Sequence, residues 1–95
     1  MAMAFEWNKA KDLANQRKHG VAFNEASTVF GDPLAWFQPD AQHSEEEERF
    51  LLLGRSSANR LLAVLFTDRG ADLIRVISAR PATPGERRKY EKDFR

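Results

Sequence analysis

The chain has no cysteine among its 95 residues, which removes disulfides, thiolate zinc sites and thiol nucleophiles together. His19 and His43 are the whole imidazole supply, so neither a metal site nor a cofactor is expected. Five glycines and four prolines are too few for a fibrous or low-complexity chain. No apolar run approaches the roughly 18 residues that would suggest a membrane span, and the opening MAMAFEWNKA lacks the basic start and apolar core of a secretory signal. A cytoplasmic protein without membrane contact is the expectation. Gly-rich phosphate loops, dinucleotide fingerprints and serine-nucleophile elbows are also missing, so nucleotide and ester hydrolysis have no motif to rest on.

What is present describes one globular domain over residues 1–95. The chain is 42% hydrophobic and 31% charged, with seven Phe, two Trp and one Tyr, and it is too short for two independent cores. A net charge of +1 conceals an asymmetry: residues 1–48 carry four basic and nine acidic side chains, residues 49–95 eleven basic and five acidic. Ten of the fifteen cations are arginine, whose planar fork pairs bidentately with phosphate. A polyanionic partner is one reading of that basic half; a solvated arginine surface balanced by Glu45 to Glu48 is the other.

Phe5-Glu6-Trp7 alternates as a short strand. Asn8 then suits a helix N-cap, and Lys9 to His19 runs unbroken to Gly20, the favoured residue just past a helix end. The apolar stripe of that helix, Ala10, Leu13 and Ala14, is thin, so the helix is expected on the surface of something larger. Asn24 reads as the N-cap of a second, short helix ended by Gly31-Asp32-Pro33. From Leu34 the period becomes strand-like: Leu34 to Gln38, Arg49 to Arg55, Leu61 to Thr67 and Leu73 to Ala79 are rich in Leu, Ile, Val or Phe. Short connections at 56–60 and 68–72 make the last three an antiparallel meander, while Pro39 to Glu48 is one long polar loop. Thr83-Pro84-Gly85-Glu86 combines an N-cap, a first-position proline and a capping-box acid, opening a terminal helix from Pro84 to about Phe94. The order β-α-α-β-β-β-β-α is an α+β fold, with helices packed against one face of an antiparallel sheet.

On the last strand, strict alternation puts Ile74, Val76, Ser78 and Arg80 on one face and Leu73, Arg75, Ile77 and Ala79 on the other. Arg75 and Arg80 then point to opposite sides, and each needs a carboxylate or a ligand. Glu86, Tyr90 and Phe94 recur at helical spacing, and Arg80, Glu86 and Tyr90 are expected to converge at the sheet's edge. His19, beside Lys18 at a helix C-terminus, reads either as a helix-capping cation or as a catalytic imidazole; His43 reads as solvated. Trp36 and Phe37 are adjacent in one strand, so one ring is left outside a single-sided core, where a partner could bury it. Metal-free RNA cleavage would suit this inventory. A ribose 2′-hydroxyl attacks the adjacent phosphate, a base and an acid move protons, and cations hold the phosphorane; His, Glu, Tyr and Arg supply those functions.

The ordered motifs carry a resemblance. Phe5-Glu-Trp-Asn-Lys-Ala-Lys, Asn15-Gln-Arg-Lys-His-Gly-Val-Ala-Phe-Asn-Glu-Ala, Val29-Phe-Gly-Asp-Pro, Glu48-Arg-Phe with Gly54-Arg-Ser, Arg75-Val-Ile-Ser-Ala-Arg and Glu86-Arg-Arg-Lys-Tyr-Glu resemble the BrnT-type toxins of bacterial type II toxin–antitoxin systems. The likeness runs from Phe5 to Glu91, and the pairing of Lys-His-Gly-Val with Ile-Ser-Ala-Arg is its specific part. It implies a RelE-like fold, a metal-independent endoribonuclease that inhibits translation, and a hetero-oligomer with a BrnA-like antitoxin whose ribbon-helix-helix domain alone contacts operator DNA. By position, it makes Arg80 the first catalytic candidate and Arg75 the second, with Tyr90, His19 and Glu86 as further catalytic candidates. Lys18, Arg49, Arg87 and Arg88 are the candidate RNA-binding cations. Asn8 stands where the family more often has Asp, which preserves helix capping. Residues 1–4 precede the family's usual start and are expected to be disordered or a non-native start. The competing class is a non-catalytic basic module that binds RNA or a protein. It gains ground if internal carboxylates saturate both Arg75 and Arg80 and no open cleft contains Tyr90 or His19.

Overall fold

The computed structural model describes residues 3–40 and 48–92; His43, Glu45 to Glu47 and Phe94 lie outside them. The elements are β1 (Ala4–Glu6), α1 (Lys9–His19), α2 (Phe23–Thr28) leading into a 3₁₀ turn (Val29–Gly31), β2 (Trp36–Pro39), β3 (Phe50–Arg55), β4 (Leu61–Gly70), β5 (Leu73–Pro81) and α3 (Pro84–Lys92). The fold is α+β, in the expected element order. Five strands form one sheet in the order β1-β5-β4-β3-β2. Strands β2 to β5 pair antiparallel, and β1 joins β5 in parallel, which makes the sheet mixed. Ala4, grouped by sequence with residues outside the fold, instead opens β1 and donates its N–H to the Asp72 carbonyl at 2.8 Å.

Local signals set most helix ends. The Asn8 side chain accepts the Lys11 N–H at 3.0 Å, and Gly20 closes α1 in the left-handed region at φ 69°. The capping box of α3 closes in both directions, Glu86 N–H to Thr83 Oγ1 at 3.1 Å and Thr83 N–H to Glu86 Oε1 at 2.9 Å. The second helix differs from expectation. It begins at Phe23, so Asn24 lies inside it and Ala22 occupies the cap position without a side-chain bond. The Phe23 N–H is taken by Asp12 Oδ1 of α1 at 2.9 Å. Full burial of the Phe23 ring outweighs a cap worth about 1 kcal/mol. The β4–β5 hairpin is also tighter than the five-residue connection 68–72 suggests, with only Ala71 and Asp72 between the strands, both at positive φ.

One face of the sheet holds the core. Val21, Phe23, Ala26 and Val29 pack on Leu52, Leu62, Val64, Phe66, Ile74, Val76 and Ala79. Helix α1 contributes little apolar surface: Leu13 is 46% exposed, and the helix's buried residue is Asn15. The reason lies in the sheet. Strand β1 stops opposite Arg75, which leaves the outer edge of β5 without a strand beyond that point. Asn15 Nδ2 donates to the carbonyls of Ala79 and Val21, both at 2.8 Å, and Oδ1 accepts the Ala79 N–H at 3.2 Å. Its amide thus continues the ladder that β1 ends. Asp32 does the same for β3 beyond the start of β2, accepting the Arg55 N–H at 2.8 Å. Gly54 makes the close approach beside it possible, because a Cβ there would lie 2.8 Å from Val29 Cγ1.

Candidate active site on the open sheet face

The register decides which residues share the second face. On β4, Ala63, Leu65 and Thr67 alternate onto that face, and their β5 partners are Arg80, Ser78 and Arg75. Simple alternation along β5 would separate the two arginines, but the register shifts between Leu65, opposite Ser78, and Phe66, opposite Val76. Ile77 is the extra residue of a β-bulge, which reverses the phase of the strand. Arg75, Ser78 and Arg80 therefore share the open face, while Ile74, Val76 and Ala79 remain in the core. The expectation of oppositely directed arginines is overturned.

Arg80 and Glu86 form a two-point ion pair, Nη1 to Oε1 at 2.6 Å and Nη2 to Oε2 at 2.9 Å. The hydrogen bonds from Arg80 hold the Glu86 carboxyl below its ordinary range although burial opposes this, and the Thr83 N–H adds to the effect. Glu86 in turn raises the Arg80 guanidinium. Farther along the face, Arg75 Nη1 meets Glu6 Oε2 at 3.0 Å. Arg49, one residue before β3 and in phase with Leu51, falls on the same face.

Beside Arg80 the face dips into a concavity of about 380 Å³. Leu51, Ala63 and Leu65 form its floor, with Ser78 and Arg80 on the β5 side and Gln38 and Asp40 on the β2 side. Gln38, Asp40 and Ser78 were not among the sequence candidates. Gln38 reads from sequence as a polar strand residue, but simple alternation groups Ser78 with the core residues Ile74 and Val76 and Asp40 lies past the end of β2, so only the bulge and the pairing of four strands bring the three around one hollow.

Tyr90 goes elsewhere. Helix α3 crosses one end of this face, with Lys89 Nζ 5.4 Å from the centre of the Trp36 ring, so the helices do not all pack on one side of the sheet as expected. Tyr90 is buried, its hydroxyl donates to Asp32 Oδ2 at 2.6 Å, and the Arg55 guanidinium lies 6.0 Å from its ring centre. Burial and the bond to the Asp32 carboxylate push the phenol up to about 12. Burial works against the Asp32 charge, yet bonds from the Arg55 N–H, the Tyr90 hydroxyl and the Leu34 N–H hold that carboxyl low. The expected convergence therefore holds for Arg80 and Glu86 and not for Tyr90.

Lys18 and His19 close α1, and neither lines the concavity. Arg87 and Arg88 are exposed on α3, Arg87 within 3.7 Å of Glu91. Internal carboxylates thus pair with both Arg75 and Arg80, and the hollow beside Arg80 contains neither Tyr90 nor His19. Among the described residues, no three His, Asp or Glu side chains cluster closely enough to hold a metal ion, and no helix is long and apolar enough to cross a membrane.

The family described as "Ribonuclease toxin, BrnT, of type II toxin-antitoxin system" matches residues 7–86. The crystal structure of the Brucella abortus ribonuclease toxin BrnT is similar in fold, with a TM-score of 0.67 and 25% sequence identity, covering 86% of this chain and 99% of that one. A comparison with curated proteins found no match. With most of its length inside the family match and its fold shared with a solved member, the chain belongs to the BrnT ribonuclease-toxin family of type II toxin–antitoxin systems, in which a toxin is one half of a pair with its antitoxin.

Proposed function

We propose that this toxin is a cytoplasmic endoribonuclease that cuts RNA on the open sheet face without a metal, thereby inhibits translation, and is held inactive by a BrnA-like antitoxin. The observation that carries this reading is the bulge at Ile77, which brings Arg75, Ser78 and Arg80 onto one face beside an open hollow. A guanidinium has five N–H donors. Glu86 takes one from each terminal nitrogen of Arg80, whose side chain remains 37% exposed, so donors are left for a phosphate. Arg80 then stabilises the phosphorane as the 2′-oxygen bonds to phosphorus and gives its proton to a water molecule, while the P–O5′ bond breaks and a second water protonates the departing 5′-oxygen. Arg75 lies two rows away, roughly 14 Å along the face, where it and Arg49 meet neighbouring phosphates.

The other candidates take supporting roles. Glu86, an ionised carboxylate locked by Arg80 and Thr83, positions the guanidinium. Tyr90, neutral and bonded to Asp32, holds α3 against β3. His19 stands in the last turn of α1, and Lys18, Arg87 and Arg88 supply peripheral charge for the RNA backbone.

Purified protein should therefore cut RNA in the presence of EDTA. Arg80→Ala should remove about 3 kcal/mol of transition-state stabilisation, roughly a hundredfold in rate, while the circular dichroism spectrum is preserved. Full activity of a folded Arg80→Ala protein removes the assignment, and loss in EDTA restored by one added metal ends the metal-independent reading. The pairing of both arginines with carboxylates favours a second reading, a non-catalytic RNA- or protein-binding module. RNA binding without cleavage, together with normal growth on expression, selects it.

For the antitoxin, Phe37 is the relevant ring. It is 62% exposed and borders an apolar groove with Met3, Phe30, Phe50 and Phe66, while Trp36 lies under Lys89. This supports a hetero-oligomer in which the antitoxin covers apolar surface; contact with operator DNA belongs to the antitoxin. Co-expression with the neighbouring small gene and gel filtration test it: separate elution of the two proteins at micromolar concentration refutes the complex.

A further inference from the structure

The hollow on the open face has a chemical polarity that a phosphate site alone does not require. One register row, Gln38, Leu51, Leu65 and Ser78, crosses four strands, and Arg80 ends the next row. The two leucines are half-buried, an apolar patch at the centre of a sheet face with polar groups at both ends. The β5 end carries the Ser78 hydroxyl and the Arg80 guanidinium; the β2 end carries the Gln38 carboxamide and the Asp40 carboxylate. Three strand spacings, roughly 14 Å, separate the two backbones.

We propose that this hollow is a base-reading pocket in which Gln38 selects adenine beside the cleaved bond. The proposal rests on the ribonuclease reading and deepens it. Charge complementarity sets the direction of the nucleotide. Arg80 attracts phosphate at the β5 end, so the phosphate sits there and the base extends toward β2. The flat apolar face of the base then covers Leu51 and Leu65, in the way unstacked bases are received on side chains in single-stranded recognition. A carboxamide offers one donor and one acceptor side by side. That pair matches the N6 amino donor and N7 acceptor of adenine's major-groove edge, where guanine offers two acceptors and pyrimidines have no N7. Gln38 is thus a specificity-determining residue, distinct from the phosphate-holding Arg80.

The test sequences the ends of fragments produced from an RNA library by wild type, Gln38→Ala and Gln38→Glu. Wild type should enrich adenine at one fixed position beside the cut. Gln38→Ala should lower cutting at adenine sites relative to other bases roughly tenfold. Gln38→Glu, which keeps acceptors and loses the donor, should move the preference toward cytosine, whose amino group donates; a purely structural role would not produce that shift. Cleavage with the same base distribution in all three proteins overturns the pocket and leaves the ribonuclease reading standing. Should no RNA be cut, an NMR titration with short oligo(A) and oligo(U) decides: selective perturbation of the Gln38 side-chain amide by oligo(A) upholds the pocket while the ribonuclease reading falls, and its absence overturns both.

Discussion

Tyr90→Phe deletes one hydroxyl and leaves the packed ring in place. In the folded chain that hydroxyl donates to Asp32 Oδ2 at 2.6 Å, and burial together with the carboxylate moves the phenol from 10.0 to about 12. Such a difference favours folding of the neutral phenol over the tyrosinate by about 3 kcal/mol, since each tenfold change in proton affinity is worth about 1.4 kcal/mol. The sign follows from which state holds the proton more tightly. The folded state does, so the contribution is present in full below about pH 10 and is lost as pH rises toward about 12. Because Tyr90 is the only tyrosine in the sequence, tyrosinate absorbance of the native protein reads this titration directly. Urea unfolding of wild type and Tyr90→Phe should differ by about 2 kcal/mol near neutral pH, as expected for a hydrogen bond to a charged group, and the gap should close across the alkaline range. RNA cleavage by the folded variant should persist, since the hydroxyl lies with Asp32 and away from Arg80. Tyrosinate appearing near pH 10 in the native state would refute the energetic argument, and loss of cleavage at unchanged stability would put the hydroxyl in the chemistry.

Gly54→Ala should lower stability by about 1–3 kcal/mol in chemical denaturation, because the added methyl meets Val29 Cγ1 at 2.8 Å; equal or greater stability would show that the 3₁₀ turn yields freely. Asn15→Ala should cost about 2 kcal/mol or more by leaving the Ala79 and Val21 groups unmet. Asn15→Asp, which can accept from Ala79 but not donate to either carbonyl, should be no rescue; a stable Asp variant contradicts the edge-capping role. The Glu86 carboxyl is held below 4.5 by Arg80, so its contribution is present above that pH and lost as pH falls below it. Thermal unfolding of Glu86→Gln should accordingly lose less stability than wild type on acidification, and parallel acid limbs for the two proteins would rule the pair out as a source of acid sensitivity.

What the sequence determined is what nearest neighbours along the chain can enforce. Asn8, Gly20 and the Thr83–Glu86 box act within one helical turn, so their partners are three or four residues away and can be read from order alone. Alternating apolar residues likewise announce the strands, and ordered motifs from Phe5 to Glu91 carry the family. Adjacent Trp36 and Phe37 had to point to opposite faces, and one ring is indeed exposed. The site was legible only in part. Arg80 and Glu86 meet because a short loop joins their elements, whereas Tyr90 finds Asp32 across 58 residues and Asn15 finds Ala79 across 64. Asn24 shows the same limit from the other side, since a good local cap yields once burial of Phe23 and the Asp12 carboxylate set the helix start. Only the tertiary structure decided that Arg75 and Arg80 share a face. A bulge is a property of a strand pair: it appears where β5 must match the register of β4, and no residue around Ile77 announces it. The hollow beside Arg80 has the same origin, because its walls come from four strands whose lateral order is set by the pairing of the whole sheet.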